Sequence, residues 1–241
     1  MLIFRYFWSI WCAVWFCLSG TVAVIGYRVI LGTQPTDDHI RKALLWSQRW
    51  AYWLLIGMGI RVRVHNVEAV KPYSKAIFVS NHQSFFDIPV CALANPHIFR
   101  FLSKSEIQSM PFVGYVLKRI YYSVDRKSAE SRKQSMLTMA QGIQSGFPVH
   151  LYIEGTRNPN PVGFLPFQKG AATLSLDHNI PIVPLYIHNS RNFLASKSFK
   201  GIGMGTIHVK WGNAIHPAHY SSIQAINQAV LAELEYLQST L

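Results

Sequence analysis

A run of 22 residues without a charged side chain, Tyr6 to Tyr27, lies near the amino terminus. As a helix this run would be about 33 Å long, which covers the hydrocarbon thickness of a bilayer. A secretory signal peptide is the rival interpretation, because Arg5 precedes the run and small residues stand at Ser19-Gly20-Thr21. The apolar run continues beyond them to Ile25 with no clear cleavage motif. The sequence therefore favours a membrane anchor.

A second helix is predicted from about Ile40 to Ile60. Its uncharged stretch after Arg49 has only 11 residues, too few to span a bilayer, so we expect this helix to lie in or against the membrane interface. Six of the seven tryptophans fall within the first 60 residues, which fits interfacial anchoring. Residues 1–60 are therefore predicted to be a membrane-anchoring two-helix segment.

Positive charge indicates the orientation of this anchor. More basic residues follow the first helix than precede it: Arg28, Arg41, Lys42 and Arg49 come after it, and Arg5 comes before it. Basic residues flanking a span favour the cytoplasmic side. The rest of the chain is therefore predicted to lie on the cytoplasmic face.

Residues 61–241 alternate between strand-like and helix-like patterns, which predicts one α/β domain. Prolines at 181 and 184 indicate that the strand containing them is kinked or lies at a sheet edge. The last helix is expected to begin at Ser221, with Gln224 completing a capping box. The predicted strands are 61–65, 75–80, 97–102, 120–124, 149–153, 180–187 and 205–211, and the other predicted helices are 85–93 and 128–145.

The charge balance limits the class of partner. The chain has 23 Lys and Arg residues against 11 acidic residues, a formal net charge of +12. Such a chain favours an anionic membrane, a phosphorylated substrate or an acidic carrier protein. Nucleic acid is disfavoured because the basic residues are dispersed and form no recognisable binding module. The three cysteines lack metal-ligand spacing and indicate a reducing compartment, and the dispersed histidines predict no metal site.

The segment Asn81-His82-Gln83-Ser84-Phe85-Phe86-Asp87 sets a histidine and an aspartate five positions apart. On one regular helix these two side chains would not face each other. With His82 in the loop after a buried strand and Asp87 in the first helical turn, the carboxylate can reach back to one imidazole nitrogen. The other nitrogen could then accept a proton from a hydroxyl. No Ser or Cys stands in an obvious nucleophile elbow, so direct attack by a substrate hydroxyl is favoured over a covalent intermediate.

Further blocks follow at or near predicted strand ends. These blocks contain Lys104 followed by Pro111-Phe112-Val113-Gly114, Asp125-Arg126, Glu154-Gly155-Thr156-Arg157, and Leu165-Pro166-Phe167. Arginine suits a phosphate group because its planar fork donates two parallel hydrogen bonds, whereas lysine supplies a point charge. Glu154 could hold Arg157 or a neighbouring backbone amide. The blocks together predict a phosphate site near His82.

From about Ile77 to Leu185 these motifs, in this order, resemble the 1-acyl-sn-glycerol-3-phosphate acyltransferases of the glycerolipid acyltransferase superfamily. The resemblance implies an α/β domain with a mixed sheet behind a two-helix membrane segment. It also implies a location at a bacterial inner membrane, with the catalytic domain on the cytoplasmic face. It implies transfer of a fatty acyl group from acyl-CoA or acyl-acyl carrier protein to the sn-2 hydroxyl of a lysophospholipid acceptor, giving phosphatidic acid. No cofactor is implied.

The resemblance also implies roles for individual residues. His82 would be the general base and Asp87 its orienting partner. The substrate-binding residues would be Lys104, Arg126, Glu154, Gly155, Thr156 and Arg157. The chain departs from the family pattern at Tyr152-Ile153, where Phe-Pro is usual, and at Ser105, where a second lysine is common. Two other functions stay open: acylation of another lysolipid, and a catalytically inert membrane scaffold.

Overall fold

A seven-stranded mixed sheet with helices on both faces is the centre of the computed structural model, which describes residues 2–109, 113–160, 162–194 and 201–241. The strands are β1 (Ile60–His65), β2 (Ile77–Ser80), β3 (Arg100–Lys104), β4 (Tyr122–Val124), β5 (Val149–Tyr152), β6 (Ile182–His188) and β7 (Gly205–Trp211). The helices are α1 (Leu2–Leu31), α2 (Asp37–Gly57), α3 (Asp87–Ala94), α4 (Val113–Ile120), α5 (Ala129–Gln144), α6 (Gly170–His178) and α7 (Ile223–Ser239).

The strand order is β1-β7-β6-β2-β5-β3-β4. Strands β2 to β6 run parallel to one another, whereas β7 pairs antiparallel with β6 and parallel with β1. The mixed α/β sheet predicted from the sequence is thus confirmed. Because β2, β5, β3 and β4 are parallel neighbours, the loops after them meet at one edge of the sheet, where ligand sites of such folds are usually found.

Two apolar cores lie on opposite faces of the sheet. One contains side chains of α2, α3, β6, β7 and one residue of α1, with Trp211 and Phe78 fully buried in it. The other joins α5, α6 and α7 to the remaining sheet face. A third cluster packs α1 and α2 against α4. The amino-terminal helices therefore share apolar cores with the α/β part of the chain.

Indole side chains join α1 to α2. The Nε1 groups of Trp11 and Trp15 donate to the carbonyl oxygens of Gly57 and Trp53, at 2.9 and 3.2 Å. The Gly57 carbonyl ends α2, where the backbone carbonyls have no intrahelical partners. Along its length α1 leaves large apolar side chains exposed, including Phe7 at 70% and Val29 at 80%. Within the described chain, residues 5–31 form the single helix long and apolar enough to cross a membrane by length and composition.

Several predicted boundaries are wrong. The second helix ends at Gly57, and Ile60 already belongs to β1. The strand predicted from His97 begins at Arg100, and Ile120 ends α4 instead of starting a strand. The last helix is capped by Ser222, whose side chain accepts from the Ala225 amide. The prediction of a capping box that begins at Ser221 is therefore wrong.

The edge position predicted for the proline-containing strand is also wrong, because β6 lies in the interior of the sheet between β2 and β7. Pro181 precedes the strand. Pro184 directs its ring nitrogen toward β7 at the point where regular pairing with that strand is interrupted. Its carbonyl still accepts from the Gly212 amide at 2.9 Å. A proline is tolerated here because the ladder requires no donor from it.

Candidate active site

His82 lies in the loop after β2, and Asp87 is the first residue of α3. His82 Nδ1 lies 2.8 Å from Asp87 Oδ2, which also accepts from the amides of Gln83 and Ser84 at 2.6 and 2.8 Å. The carboxylate is fully buried, and a helix amino terminus favours its charge. Because an ionised carboxylate only accepts, Nδ1 carries the proton and Nε2 keeps its lone pair.

The catalytic nitrogen suggested by this geometry is accessible. The His82 side chain retains 13% of its exposure, and Nε2 has no hydrogen bond to the described part of the chain. Asp87 fixes the opposite side of the ring. The pair can therefore accept a proton from a hydroxyl group brought to Nε2, which is general-base chemistry.

The backbone of the His82 loop is held on both sides. The Asn81 side chain exchanges two hydrogen bonds with the backbone of Ile187, at 2.9 and 2.8 Å. The His82 carbonyl accepts from the Asn158 amide at 2.6 Å, and the His82 amide donates to Glu154 Oε1 at 3.1 Å. These bonds tie the loop to β6 and to the segment after β5, so the backbone that carries the imidazole is held by contacts within the protein.

Glu154 was predicted to bind substrate, and the structure directs its carboxylate into the protein. Its side chain is 2% exposed, with Oε1 accepting from the His82 amide and Oε2 from the Leu165 amide at 2.8 Å. Of the two structural roles considered from the sequence, this geometry corresponds to holding a backbone amide. Burial raises the pKa of Glu154 above its ordinary value.

We expect Glu154→Gln to alter how stability depends on pH. Because the folded-state pKa is raised, this carboxyl favours the folded state at low pH. That contribution is lost as the pH rises from the unfolded value of about 4.3 through the higher folded value. Glutamine does not titrate, so the thermal unfolding midpoint of the variant in detergent should decrease less over this range than that of the wild type.

The exposed Glu235 provides the control for this measurement. Glu235→Gln should leave the pH dependence of the midpoint as in the wild type. Parallel midpoint curves for the wild type and Glu154→Gln across the same range would contradict the assignment of a titrating, buried Glu154 carboxyl.

The three predicted phosphate-binding cations follow strands whose carboxyl ends share one sheet edge, and their surroundings differ. Arg157 lies with its guanidinium carbon 3.6 Å from the centroid of the Phe85 ring, and its buried Nη1 has no hydrogen-bond partner in the described chain. The exposed Arg126 donates from Nη1 to the carbonyl of Gly155 at 2.6 Å. Lys104, at the end of β3, forms an ion pair of 2.9 Å with Glu106. Arg157 therefore has the clearest unused donor capacity.

Gly155 and Thr156 separate Glu154 from Arg157. Gly155 has φ +70°, and a Cβ added there would lie 2.7 Å from Gln168 Cγ. Only glycine fits such a turn without strain. Thr156 is exposed. The turn reverses the chain so that Glu154 is directed inward while Arg157 approaches Phe85. In the predicted block that begins with Lys104, Pro111-Phe112 lies outside the described residues.

A buried polar cluster beneath the loop was not predicted from the sequence. Ser80 Oγ lies 2.9 Å from His150 Nε2, and Cys91 Sγ lies 3.4 Å from the same nitrogen. All three side chains are at most 1% exposed. Burial lowers the pKa of His150 to about 3 and raises the pKa of the Cys91 thiol. Ser80 and Cys91 are thus inaccessible to a lipid substrate, which favours direct attack by a substrate hydroxyl.

Only indirect signals in the sequence point to these residues. Ser80 and His150 lie on neighbouring strands β2 and β5, and Tyr152 follows His150 on β5. Tyr152 stands at one of the positions where the chain departs from the pattern of the family that it resembles. Within the described residues, no group of three His, Cys, Asp or Glu side chains could hold a metal ion.

Comparisons with known proteins show the family and the fold of this chain. The family model described as Acyltransferase matches residues 61–188. A putative 1-acyl-sn-glycerol-3-phosphate acyltransferase of Caenorhabditis elegans is 31% identical over 152 residues, which are 61% of this chain and 56% of that protein. A 1-acyl-sn-glycerol-3-phosphate acyltransferase of Haemophilus influenzae is 27% identical over 193 residues, which are 78% of this chain and 75% of that protein. The chain thus spans little more than half of the worm protein and three quarters of the bacterial one.

A solved structure shares the fold. The crystal structure of the 1-acyl-sn-glycerophosphate acyltransferase PlsC from Thermotoga maritima superimposes with a TM-score of 0.79. The similarity covers 98% of each chain, at 18% sequence identity. At this identity the comparison supports the architecture, including the arrangement of the helices around the sheet.

Proposed function

The chain belongs to the acyltransferase family, and on that premise we propose that it transfers a fatty acyl group from a thioester to the free sn-2 hydroxyl of 1-acyl-sn-glycerol 3-phosphate. The product is phosphatidic acid, an intermediate of phospholipid biosynthesis. The observation that carries the proposal is the His82–Asp87 pair at 2.8 Å, with Nε2 accessible and the unpartnered Arg157 donor in the segment after β5 whose Asn158 amide donates to the His82 carbonyl. Relatives named for this reaction support the choice of acceptor.

The reaction proceeds by one proton relay. His82 Nε2 takes the proton of the sn-2 hydroxyl while that oxygen attacks the thioester carbonyl carbon. The resulting tetrahedral intermediate collapses, the carbon–sulfur bond breaks, and the leaving thiolate takes the proton from the His82 imidazolium. Asp87 stabilises the imidazolium in both steps because its charge lies against Nδ1. No protein nucleophile is acylated.

The acceptor phosphate is proposed to bind Arg157 together with Lys104, and Arg126 supports the turn at Gly155. Arg157 has a buried donor without a partner, and a dianionic phosphate would satisfy it. The ion pair of Lys104 with Glu106 lies at the surface, so the phosphate can replace the carboxylate at little cost. Arg126 already donates to Gly155, and Glu154 holds the His82 amide, so both act as positioning residues.

We propose that residues 1–60 anchor the enzyme to an anionic membrane and that residues 61–241 form the acyltransferase domain. Helix α1 spans or inserts, and α2 lies at the interface with Tyr52, Trp53 and Ile56 exposed. The excess of positive charge after α1 supports a catalytic domain on the cytoplasmic face, as at a bacterial inner membrane. The acyl donor is acyl-CoA or acyl-acyl carrier protein, and no cofactor takes part.

We expect hydrophobic insertion, not charge, to hold the enzyme on the membrane. High salt should leave the full-length chain in the membrane fraction, and detergent should release it. Replacing the exposed Val22 and Ile25 of α1 by glutamate should move a large part of the protein into the soluble or aggregated fraction, since a charge at the bilayer centre costs about 2.5–3.5 kcal/mol.

Val162, exposed on the α/β part of the chain, provides the matched control. Val162→Glu should sediment with the membranes as the wild type does. Release of the wild-type chain by salt alone would show a purely electrostatic attachment and contradict the insertion of α1.

The acceptor panel tests the proposed function. Purified enzyme in mixed micelles is offered lysophosphatidate, a lysophospholipid with a substituted head group and a lyso-aminolipid, each with acyl-CoA and with acyl-acyl carrier protein. Mass spectrometry of the lipids should find phosphatidic acid as the main product. A dominant product from another acceptor would favour the alternative lysolipid reaction, and no acylation of any acceptor would favour an inert scaffold.

A further inference from the structure

The ring of Tyr152 lies directly against the imidazole of His82. The two ring centroids are 3.8 Å apart and the ring planes differ by 12°. Tyr152 is the last residue of β5 and precedes Ile153 and Glu154. The face of His82 that meets Tyr152 is therefore covered by an aromatic surface, whereas the two ring nitrogens lie in the imidazole plane and stay available to Asp87 and to the acceptor.

Other side chains of the protein hold the ring and the hydroxyl of Tyr152 in place. Its ring stacks on Phe101 of β3 at 5.8 Å and 16°, and His150 meets it nearly edge-on at 5.6 Å. Its hydroxyl donates to Cys91 Sγ at 4.0 Å. These contacts come from β3, β5 and α3, so the orientation of the Tyr152 ring is set by three separate elements.

We propose that Tyr152 is a positioning residue for the general base: its ring orients the His82 imidazole and stabilises the imidazolium that forms during transfer. This inference rests on the proposed function. An aromatic face attracts a cation placed over it, and a parallel stack limits rotation of the imidazole about its side-chain bonds. Asp87 fixes one nitrogen, and the Tyr152 ring fixes the plane in which the second nitrogen must lie.

The hydroxyl of Tyr152 has no part in proton transfer. It donates to the Cys91 thiol and has no hydrogen bond to His82 within the described chain, and burial raises the pKa of Tyr152 well above its ordinary value. Behind it, burial keeps His150 neutral at physiological pH, so no cation there opposes the imidazolium. The ring, not the phenol group, is therefore the part that acts on His82.

This division between ring and hydroxyl is tested with Tyr152→Leu, Tyr152→Met and Tyr152→Phe. The leucine and methionine variants lose the ring, whereas phenylalanine keeps the ring and loses only the bond to Cys91. We expect kcat to fall about tenfold in the leucine and methionine variants, with the KM for lysophosphatidate near the wild-type value. Tyr152→Phe should stay within about threefold of the wild type.

The pH profile separates positioning of the base from general damage to the fold. The acid limb of kcat/KM reports protonation of His82 in the unbound enzyme. Without the aromatic face the imidazolium is less favoured, so this limb should move to lower pH by about half a unit to one unit in Tyr152→Leu. The titratable groups near His82 remain in all variants, namely Asp87 at Nδ1, Glu154 at the amide and His150 behind Tyr152. Arg157, in the segment after β5, also remains and packs on Phe85.

Tyr73, a half-buried surface tyrosine bonded to His216, supplies the control. Tyr73→Leu should keep both kcat and the acid limb of the wild type. The proposal is overturned if Tyr152→Leu or Tyr152→Met keeps wild-type kcat and an unmoved acid limb. It is also overturned if Tyr152→Phe loses as much activity as the leucine variant. Absence of acyl transfer by the wild type would instead reject the proposed function.

Discussion

His82→Ala should lose turnover by at least about 10²–10⁴-fold, which is the usual contribution of a general base. The variant should remain folded and membrane-bound, because the Asp87 carboxylate keeps the amides of Gln83 and Ser84 as partners. Binding of lysophosphatidate should change little, since the phosphate contacts are made by other residues. The measurement is the initial rate of phosphatidic acid formation by purified protein, normalised to the fraction that is folded.

His178, exposed in the last turn of α6, is the matched control for loss of a histidine. His178→Ala should have the turnover of the wild type. If His82→Ala retained near-native turnover, the proposed base would be wrong, and proton transfer would have to use a group other than His82.

Arg157→Ala should lower kcat/KM for lysophosphatidate by about ten- to a hundredfold, through a higher acceptor KM. The loss of one hydrogen-bonding partner of a charged group typically costs about 1.5–3 kcal/mol, which corresponds to this range. The KM for the acyl donor should stay nearly constant. Arg157→Lys should recover only part of the loss, because an ammonium cannot reproduce two parallel hydrogen bonds.

A comparison of acceptors separates phosphate binding from support of the fold. A lysolipid without a phosphomonoester should be a poorer substrate for the wild type and should respond less to Arg157→Ala. Lys133→Ala, on the exposed face of α5, controls for the loss of a positive charge. Equal losses for both acceptors would assign Arg157 to structural support through its contact with Phe85 and would favour the alternative acceptors.

The sequence predicted strands and helices correctly where one local pattern distinguishes a strand from a helix. The apolar and alternating runs predicted β5 and β7 to within one residue, and Ser128 caps α5 close to the predicted start. The position of β6 within the sheet could not be predicted in this way. Pro184 lacks a backbone donor, and this excludes an interior position only where a neighbouring strand requires that donor. Helix boundaries near β1 and α4 failed because their apolar residues fit either element until packing decides between them.

In the candidate site, too, the sequence predicted the local contacts and missed those that depend on the packing of distant segments. Spacing alone was enough to predict that Asp87 could reach His82, because both belong to one loop and the helix turn that follows it. The predicted family is confirmed, and its motifs supplied Arg157. The supporting contacts of Tyr152, Phe101 and His150 depend on β5 lying between β2 and β3, which requires the strand order. The bond from the His82 amide to Glu154 likewise joins residues far apart in the sequence, so it required the three-dimensional structure.

In the proposed mechanism the acceptor hydroxyl attacks the thioester directly, with His82 as its base and no acylated protein. This mechanism is tested by incubating purified enzyme with acyl-CoA alone, then measuring released thiol by rapid quench and protein mass by intact mass spectrometry. We expect no burst of thiol and an unchanged protein mass until lysophosphatidate is added, when thiol and phosphatidic acid should form together. A stoichiometric burst of thiol with a protein mass raised by one acyl group would contradict it.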